Sequence, residues 1–191
     1  EIGVQSSLTL PLLRSTGQQR RSLGADLSGQ VHKLDNSGAL RDWGVTLNGE
    51  LGRALTLSAS YLEEEVAPPA SALNDPVVVI ENFRTYDFIR QETVLVASVS
   101  GGNPALPVQR RRTASVQANL RPFASRDVVV SVEYLRTANR NVFAALPPVS
   151  AEAQAAFPDR FVRDAGGRLV QIDARPVTFL RDDSERLRWG I

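Results

Sequence analysis

Ile2-Gly3-Val4-Gln5-Ser6-Ser7-Leu8-Thr9-Leu10-Pro11-Leu12 sets Ile2, Val4, Leu8, Leu10 and Leu12 on even positions, and Gly3, Gln5, Ser7 and Thr9 on odd ones. Alternate residues of a β-strand point to opposite faces, so a period of two reads as a strand with one apolar and one polar side. The pattern recurs at Leu23, Ala25, Leu27 and Val31 against Ser22, Asp26, Ser28 and Gln30. It returns at Trp43, Val45 and Leu47, at Leu55, Leu57, Ala59 and Tyr61, at Ala114, Val116, Ala118 and Leu120, and at Val128, Val130, Val132 and Tyr134. Leu187, Trp189 and Ile191 begin one more.

Several of these runs extend for about 10 to 14 residues, whereas strands of soluble domains are usually about 5 or 6 long. A strand that crosses a bilayer needs about 9 to 11. Length and alternation together predict an all-β fold: an antiparallel up-and-down transmembrane β-barrel segment with an apolar outer face and a polar lumen. No apolar run approaches the roughly 20 residues of a membrane helix, so any crossing would be made by strands.

Composition narrows the function. The hydrophobic content of 42 % and charged content of 23 % are ordinary, and the net charge of +1 argues against nucleic acid as a partner. The absence of cysteine excludes disulfides, thiolate metal sites and cysteine nucleophiles. No Met is present and the pattern is already running at Glu1, so the chain reads as a piece of a longer protein. No signal peptide opens it.

Short links predict turns on one side of the sheet and long links predict loops on the other. Leu51-Gly52-Arg53-Ala54, the Pro122–Asp127 link and the link from Arg14 to Arg21 are read as periplasmic turns, and Asp35-Asn36-Ser37-Gly38 as a short external one. Strands are expected at about 2–13, 20–33, 40–51, 54–65, 108–121 and 127–140, with a last one from Glu185. Long external loops then occupy about 66–107 and 141–184. Trp43, Tyr61, Tyr134 and Trp189 all share the apolar parity, and this topology sets each near the external end of its strand, where an aromatic girdle belongs. Within the second loop, Ser150 is an N-cap for a short helix that Pro158 stops. Phe161–Asp164 and Arg168–Ile172 flank Ala165-Gly166-Gly167 as a small hairpin.

No catalytic signature is found: neither a nucleophile elbow nor a dinucleotide or phosphate loop, and the single histidine, His32, rules out a multi-histidine metal cluster. The chain is not read as an enzyme, and neither a cofactor nor a metal site is expected. His32 lies on the polar parity and is read as a solvated lumen histidine. The acidic run Glu63-Glu64-Glu65 and the basic run Arg110-Arg111-Arg112 are read as a solvated rim and a solvated strand end. Asn82, Arg84, Tyr86, Asp87 and Arg90 form the richest polar and aromatic cluster, in the first long loop. Rings that stack and guanidiniums that clamp anionic groups make these five the candidate ligand-binding residues.

Gly101-Gly102-Asn103-Pro104-Ala105-Leu106-Pro107, followed by a descending alternating strand, resembles the segment that leads from an external loop into a barrel strand in TonB-dependent outer-membrane receptors. Leu135-Arg136-Thr137-Ala138-Asn139, Phe157-Pro158-Asp159-Arg160-Phe161 and Leu187-Arg188-Trp189-Gly190 are similar to segments of the same family. The resemblance implies a slice of a barrel of about 22 strands closed by an N-terminal plug. It further implies residence in the outer membrane of a Gram-negative bacterium, contact with outer-membrane lipid, and energy from a TonB complex reached through the plug. The imported ligand would be a ferric siderophore, cobalamin or a glycan. The other reading of the same alternation is a soluble or secreted all-β binding or adhesion module, whose apolar strand faces would pack on a second sheet.

Overall fold

The alternating segments form seven long strands. The structure is a computed structural model that describes residues 2–15, 21–34, 38–123 and 126–191. Strands β1 (Ile2–Ser15), β2 (Arg21–Leu34), β3 (Gly38–Leu51) and β4 (Leu55–Val66) follow one another directly. An excursion with α1 (Ala70–Asn74), β5 (Val78–Asp87) and β6 (Glu92–Ser100) intervenes before β7 (Gln109–Leu120) and β8 (Val130–Ala144). A second excursion with α2 (Ala151–Ala156), β9 (Phe161–Arg163) and β10 (Leu169–Asp173) precedes β11 (Val177–Gly190). The long strands pair in the order β1-β2-β3-β4-β7-β8-β11, an open up-and-down sheet. The short ones form a second sheet, β5-β6-β10-β9, in which β6 and β10 run parallel.

The chain divides into two compact units, one comprising Glu1–Ala67, Val108–Val142 and Leu180–Ile191, the other Pro68–Pro107 and Phe143–Phe179. In the first, the register carries the sequence pattern from strand to strand. Leu8 pairs with Leu27, Leu27 with Val45, Val45 with Tyr61, Ala59 with Val116, and Ala118 with Val132. The apolar parity therefore shares one face, except that in β1 a register shift between Pro11 and Leu13 gives the place expected of Leu12 to Leu13, opposite Leu23. That face is not a core: Leu27, Leu57, Val116 and Val132 remain between 38 % and 50 % exposed, and Val45 is half-buried.

On the opposite face, polar side chains bond laterally. Thr9 Oγ1 donates to Asp26 Oδ1 at 2.8 Å, Asn48 Nδ2 to Asp26 Oδ2 at 3.4 Å, and Ser58 Oγ to Asn48 Oδ1 at 2.9 Å. The hydroxyls of Ser60 and Ser115 lie 2.7 Å apart. Four strands are thus tied by one chain of side-chain hydrogen bonds, an arrangement available because the sheet's polar residues align in register.

The two charge runs are partners. Glu63, Glu64 and Glu65 stand opposite Arg112, Arg111 and Arg110 across β4 and β7. Arg112 holds Glu63 at two points, Nε to Oε2 at 3.2 Å and Nη2 to Oε1 at 3.3 Å, and Arg110 Nη2 reaches Glu65 Oε1 at 3.2 Å. Opposite charges on facing strands set the register where the first excursion leaves and returns.

The structure corrects the sequence reading at three points. The first excursion contains a β-hairpin, β5–β6, rather than a loop, because the uniformly apolar Val77–Ile80 hides any alternation and the register shifts between Ile80 and Phe83. Asn82 in that shift has φ of 57°, so side chains change face within the strand. Strand β11 begins at Val177 and not near Glu185, since Arg181, Asp182 and Asp183 charge both of its faces and blur the pattern. From β8, Asn139 Nδ2 donates to Asp182 and Arg140 Nη1 to Asp183 at 3.0 Å, while Arg181 Nε donates to Asp183 within β11 at 2.7 Å. With that longer strand, Trp189 lies at the end remote from the excursions, and Tyr134 lies in the first third of β8. Only Trp43 and Tyr61, with ring centroids 5.2 Å apart, occupy the excursion-side halves of their strands.

The turn expected at Leu51–Ala54 is present, and Gly52 in it has φ of 64°, a conformation glycine adopts without penalty. The turns expected at 16–20, 35–37 and 124–125 lie outside the described residues.

Candidate functional site

The second unit has its own core, Val96, Ala153, Phe161, Leu169 and Ile172, with Val94, Leu146, Val149 and Phe157 packed on it. The helix expected after Ser150 is present: Ser150 Oγ accepts from the Ala153 amide at 3.1 Å. The expected hairpin is β9–β10. Helix α2, β6 and the β9–β10 hairpin bury their apolar sides together, while Val78, Val79, Ile80 and Phe83 of β5 stay 43 % to 53 % exposed.

The five candidate residues are divided by this arrangement. Arg84 and Tyr86 alternate along β5, Asn82 sits in the register shift before them, and all three are exposed. Arg84 pairs in register with Leu95 and Tyr86 with Thr93, and the Tyr86 ring meets Phe88 edge-on at 4.9 Å. Here a guanidinium and an aromatic edge share one strand face, and the Asn82 amide lies in the register shift beside them.

Asp87 turns inward and is fully buried. Arg163 clamps its carboxylate with Nη1 to Oδ2 at 2.7 Å and Nη2 to Oδ1 at 2.8 Å, and the amides of Ile89 and Arg90 donate to Oδ1 at 3.0 and 3.4 Å. The Arg163 bond, with help from these amides, holds the carboxyl below the usual aspartate range against the opposing effect of burial. With its oxygens so engaged, Asp87 positions the loop. Arg90 is likewise committed, donating Nη1 to the Gly166 carbonyl at 2.8 Å and pairing through Nε with Glu92 at 3.0 Å.

Sequence reasoning missed Arg163, Gln154 and Asp173. Arg163 Nη2 approaches Gln154 Oε1 at 3.5 Å, and Gln154 Nε2 donates to the Tyr86 carbonyl at 3.5 Å, tying α2 to the strand that carries the candidate face. Asp173 accepts from Arg160 Nη1 at 2.7 Å and from Arg175 at Nε and Nη2, 2.8 and 2.7 Å. The Arg175 bonds keep its carboxyl low. These partners are distant in sequence, apart from Arg175, and no local pattern marks them.

The glycine-asparagine-proline segment has a concrete task. A Cβ on Gly101 would lie 2.5 Å from the Pro76 carbonyl oxygen, and one on Gly102 2.6 Å from the backbone of Leu73. Glycine lets this strand end pass against the turn after α1, where Gly102 N bonds Asp75 O at 2.9 Å and Asn103 N bonds Ala72 O at 2.7 Å. Asn103 Nδ2 then reaches the Pro176 carbonyl at 2.8 Å, joining the first excursion to the residue before β11.

Among the described residues no group of three or more His, Cys, Asp or Glu side chains is disposed to hold a metal ion. His32 Nδ1 lies 3.8 Å from Asp42 Oδ2.

No protein-family model matches the chain, and no curated protein does. Solved structures do match. The siderophore receptor PirA of Pseudomonas aeruginosa superposes with a TM-score of 0.53 at 13 % identity, over 98 % of this chain and 38 % of that one. The siderophore receptor PirA of Acinetobacter baumannii superposes with a TM-score of 0.56 at 12 % identity, over 97 % of this chain and 24 % of that one. The chain spans well under half the length of either receptor. At this identity the likeness is one of fold: an antiparallel, up-and-down β-sheet, open at both edges, built like part of a receptor β-barrel.

Proposed function

We propose that this chain is part of a TonB-dependent importer in the outer membrane of a Gram-negative bacterium, with the seven-stranded sheet as barrel wall and the two excursions as external, ligand-facing loops. The uncovered apolar face carries this reading. Leu27, Leu57, Val116 and Val132 stand on one side of strands of 12 to 15 residues, half open, while the other side is a ladder of Thr, Asp, Asn and Ser. In a sandwich a second sheet would cover such a face. In a bilayer, hydrocarbon does so. The fold likeness to two siderophore receptors supports the same assignment.

In this reading Asn82, Arg84 and Tyr86 touch the ligand, and Asp87 and Arg90 hold the hairpin that presents them. The ligand belongs to the scarce, polar class that such receptors import: a ferric siderophore, cobalamin or a glycan. The TonB complex acts through a plug elsewhere in the protein.

The test is uptake in a deletion strain complemented with the full-length gene, across labelled ligands of those three classes. Uptake that depends on the gene and stops when the inner-membrane energy supply is uncoupled is the expected result. Recovery of the full-length protein in the soluble fraction would overturn the assignment.

A further inference from the structure

The outward parity stops being apolar before the strands end. In β7 it passes from Val116 and Ala114 to Arg112 and Arg110; in β8, from Val132 and Tyr134 to Arg136 and Arg140; in β11, Arg181 and Asp183 precede Leu187. Four of these arginines, Arg112, Arg136, Arg140 and Arg181, line one groove of about 310 Å³ beside Tyr61, with Asp183 as the lone carboxylate in its lining.

Each arginine has an acidic neighbour. Arg112 meets Glu63 at 3.2 Å, Arg140 meets Asp183 at 3.0 Å, Arg181 shares Asp183, and Arg136 stands 3.6 Å from Glu185. These contacts engage a minority of the donors, since a guanidinium carries five N–H groups. The four side chains remain between 45 % and 62 % exposed. The groove therefore offers several unspent, forked N–H donors around one cavity, with a phenol at its edge and an apolar row continuing along the same face.

We propose that this groove binds the phosphate-bearing headgroup of a membrane lipid whose acyl chains lie along Ala114, Val116 and Leu187. This rests on the membrane reading above and adds a site to it. Forked guanidiniums match phosphate oxygens at two points, which an ammonium cannot do. Basic pockets at the edge of a membrane-spanning surface recognise lipid headgroups through that chemistry. The imported ligand is not the occupant, because it would meet the opposite parity, where Arg111, Asp182, Arg186 and Arg188 alternate.

The experiment uses the full-length protein reconstituted in phosphatidylcholine vesicles doped with lipid A, either phosphorylated or enzymatically dephosphorylated. After extraction into mild detergent, retained lipid is counted by native mass spectrometry. Phosphorylated lipid A should be retained about tenfold over the dephosphorylated form, and R136Q/R140Q should remove about that preference. R186Q/R188Q, on the other face, should leave it intact, and R136K/R140K should lose less than the glutamine pair. Equal retention of the two lipids overturns the proposal, as does equal loss in R186Q/R188Q or displacement by millimolar inorganic phosphate. If the glutamine pair does not fold, the contrast between the two lipids on the unsubstituted protein decides. Protease protection reports insertion separately: a protein that never inserts defeats the membrane reading itself, whereas one that inserts without lipid preference defeats this site alone.

Discussion

Asp87 and Arg163, 76 residues apart in sequence, meet in a two-point salt bridge with N···O distances of 2.7 and 2.8 Å. It joins the tip of one excursion to the hairpin of the other, and it is the main polar tie beneath the exposed face of β5. Arg163→Met leaves a buried carboxylate without its partner. The expected loss is about 2–3 kcal/mol, between the values for exposed and fully buried pairs. Hydrogen exchange on β5, β9 and β10 of the full-length protein in detergent should show that opening, with β1–β4 unchanged. The double variant Asp87→Leu, Arg163→Met should lose less than the single, because no charge is then stranded.

Acid should loosen the same unit. Both Asp87 and Asp173 have folded carboxyls below their unfolded range. Groups shifted downward contribute stability above the unfolded value, near pH 4, and lose it as pH falls through the folded one. Exchange protection of residues 78–100 and 161–173 should therefore be flat from pH 8 to about 5 and decline below about 4. Unaltered protection at pH 3 would contradict these bonds.

Glycine substitutions should separate a conformational cost from a steric one. At Gly52, φ is 64° and nothing lies within 4 Å of an added Cβ, so Gly52→Ala should cost about 1 kcal/mol. At Gly101, φ is 124° and the Cβ would strike the Pro76 carbonyl at 2.5 Å. Gly101→Ala should cost at least about 2–3 kcal/mol and displace Asn103 from Pro176. Thermal unfolding of each variant, with protection of the Asn103 and Leu106 amides, tests the ordering.

Orientation is accessible to labelling. Cysteines at Gly52 and Gly166 of the full-length protein, treated on whole cells with an impermeant maleimide, should react at Gly166 and not at Gly52. Reaction at Gly52 alone would invert the topology.

The 191-residue polypeptide by itself should require detergent. β1 and β11 are edge strands of the open sheet, and the apolar face has no protein cover among the described residues. Unpaired strand edges and a large apolar surface both drive association. A monodisperse monomer in plain buffer, measured by analytical ultracentrifugation, would count against the barrel reading.

What the sequence by itself determined is the wall. Period-two alternation is a local property, because consecutive side chains of a strand take opposite faces whatever the strand pairs with. Val4, Leu27, Val45, Leu57, Val116 and Val132 could therefore each be assigned to the apolar side of its own strand before any pairing was known. The cap at Ser150 and the turn at Gly166-Gly167 were legible for the same reason, each being settled by a few adjacent residues. Only the tertiary structure decided which charges are partners, that residues 78–100 are a hairpin, and that Asp87 and Arg90 are engaged within the unit while Asn82, Arg84 and Tyr86 stay exposed. Glu63 finds Arg112 across 49 residues and Asp87 finds Arg163 across 76. Such contacts depend on how strands come together in space, and the side chains that make them carry no periodic mark along the chain.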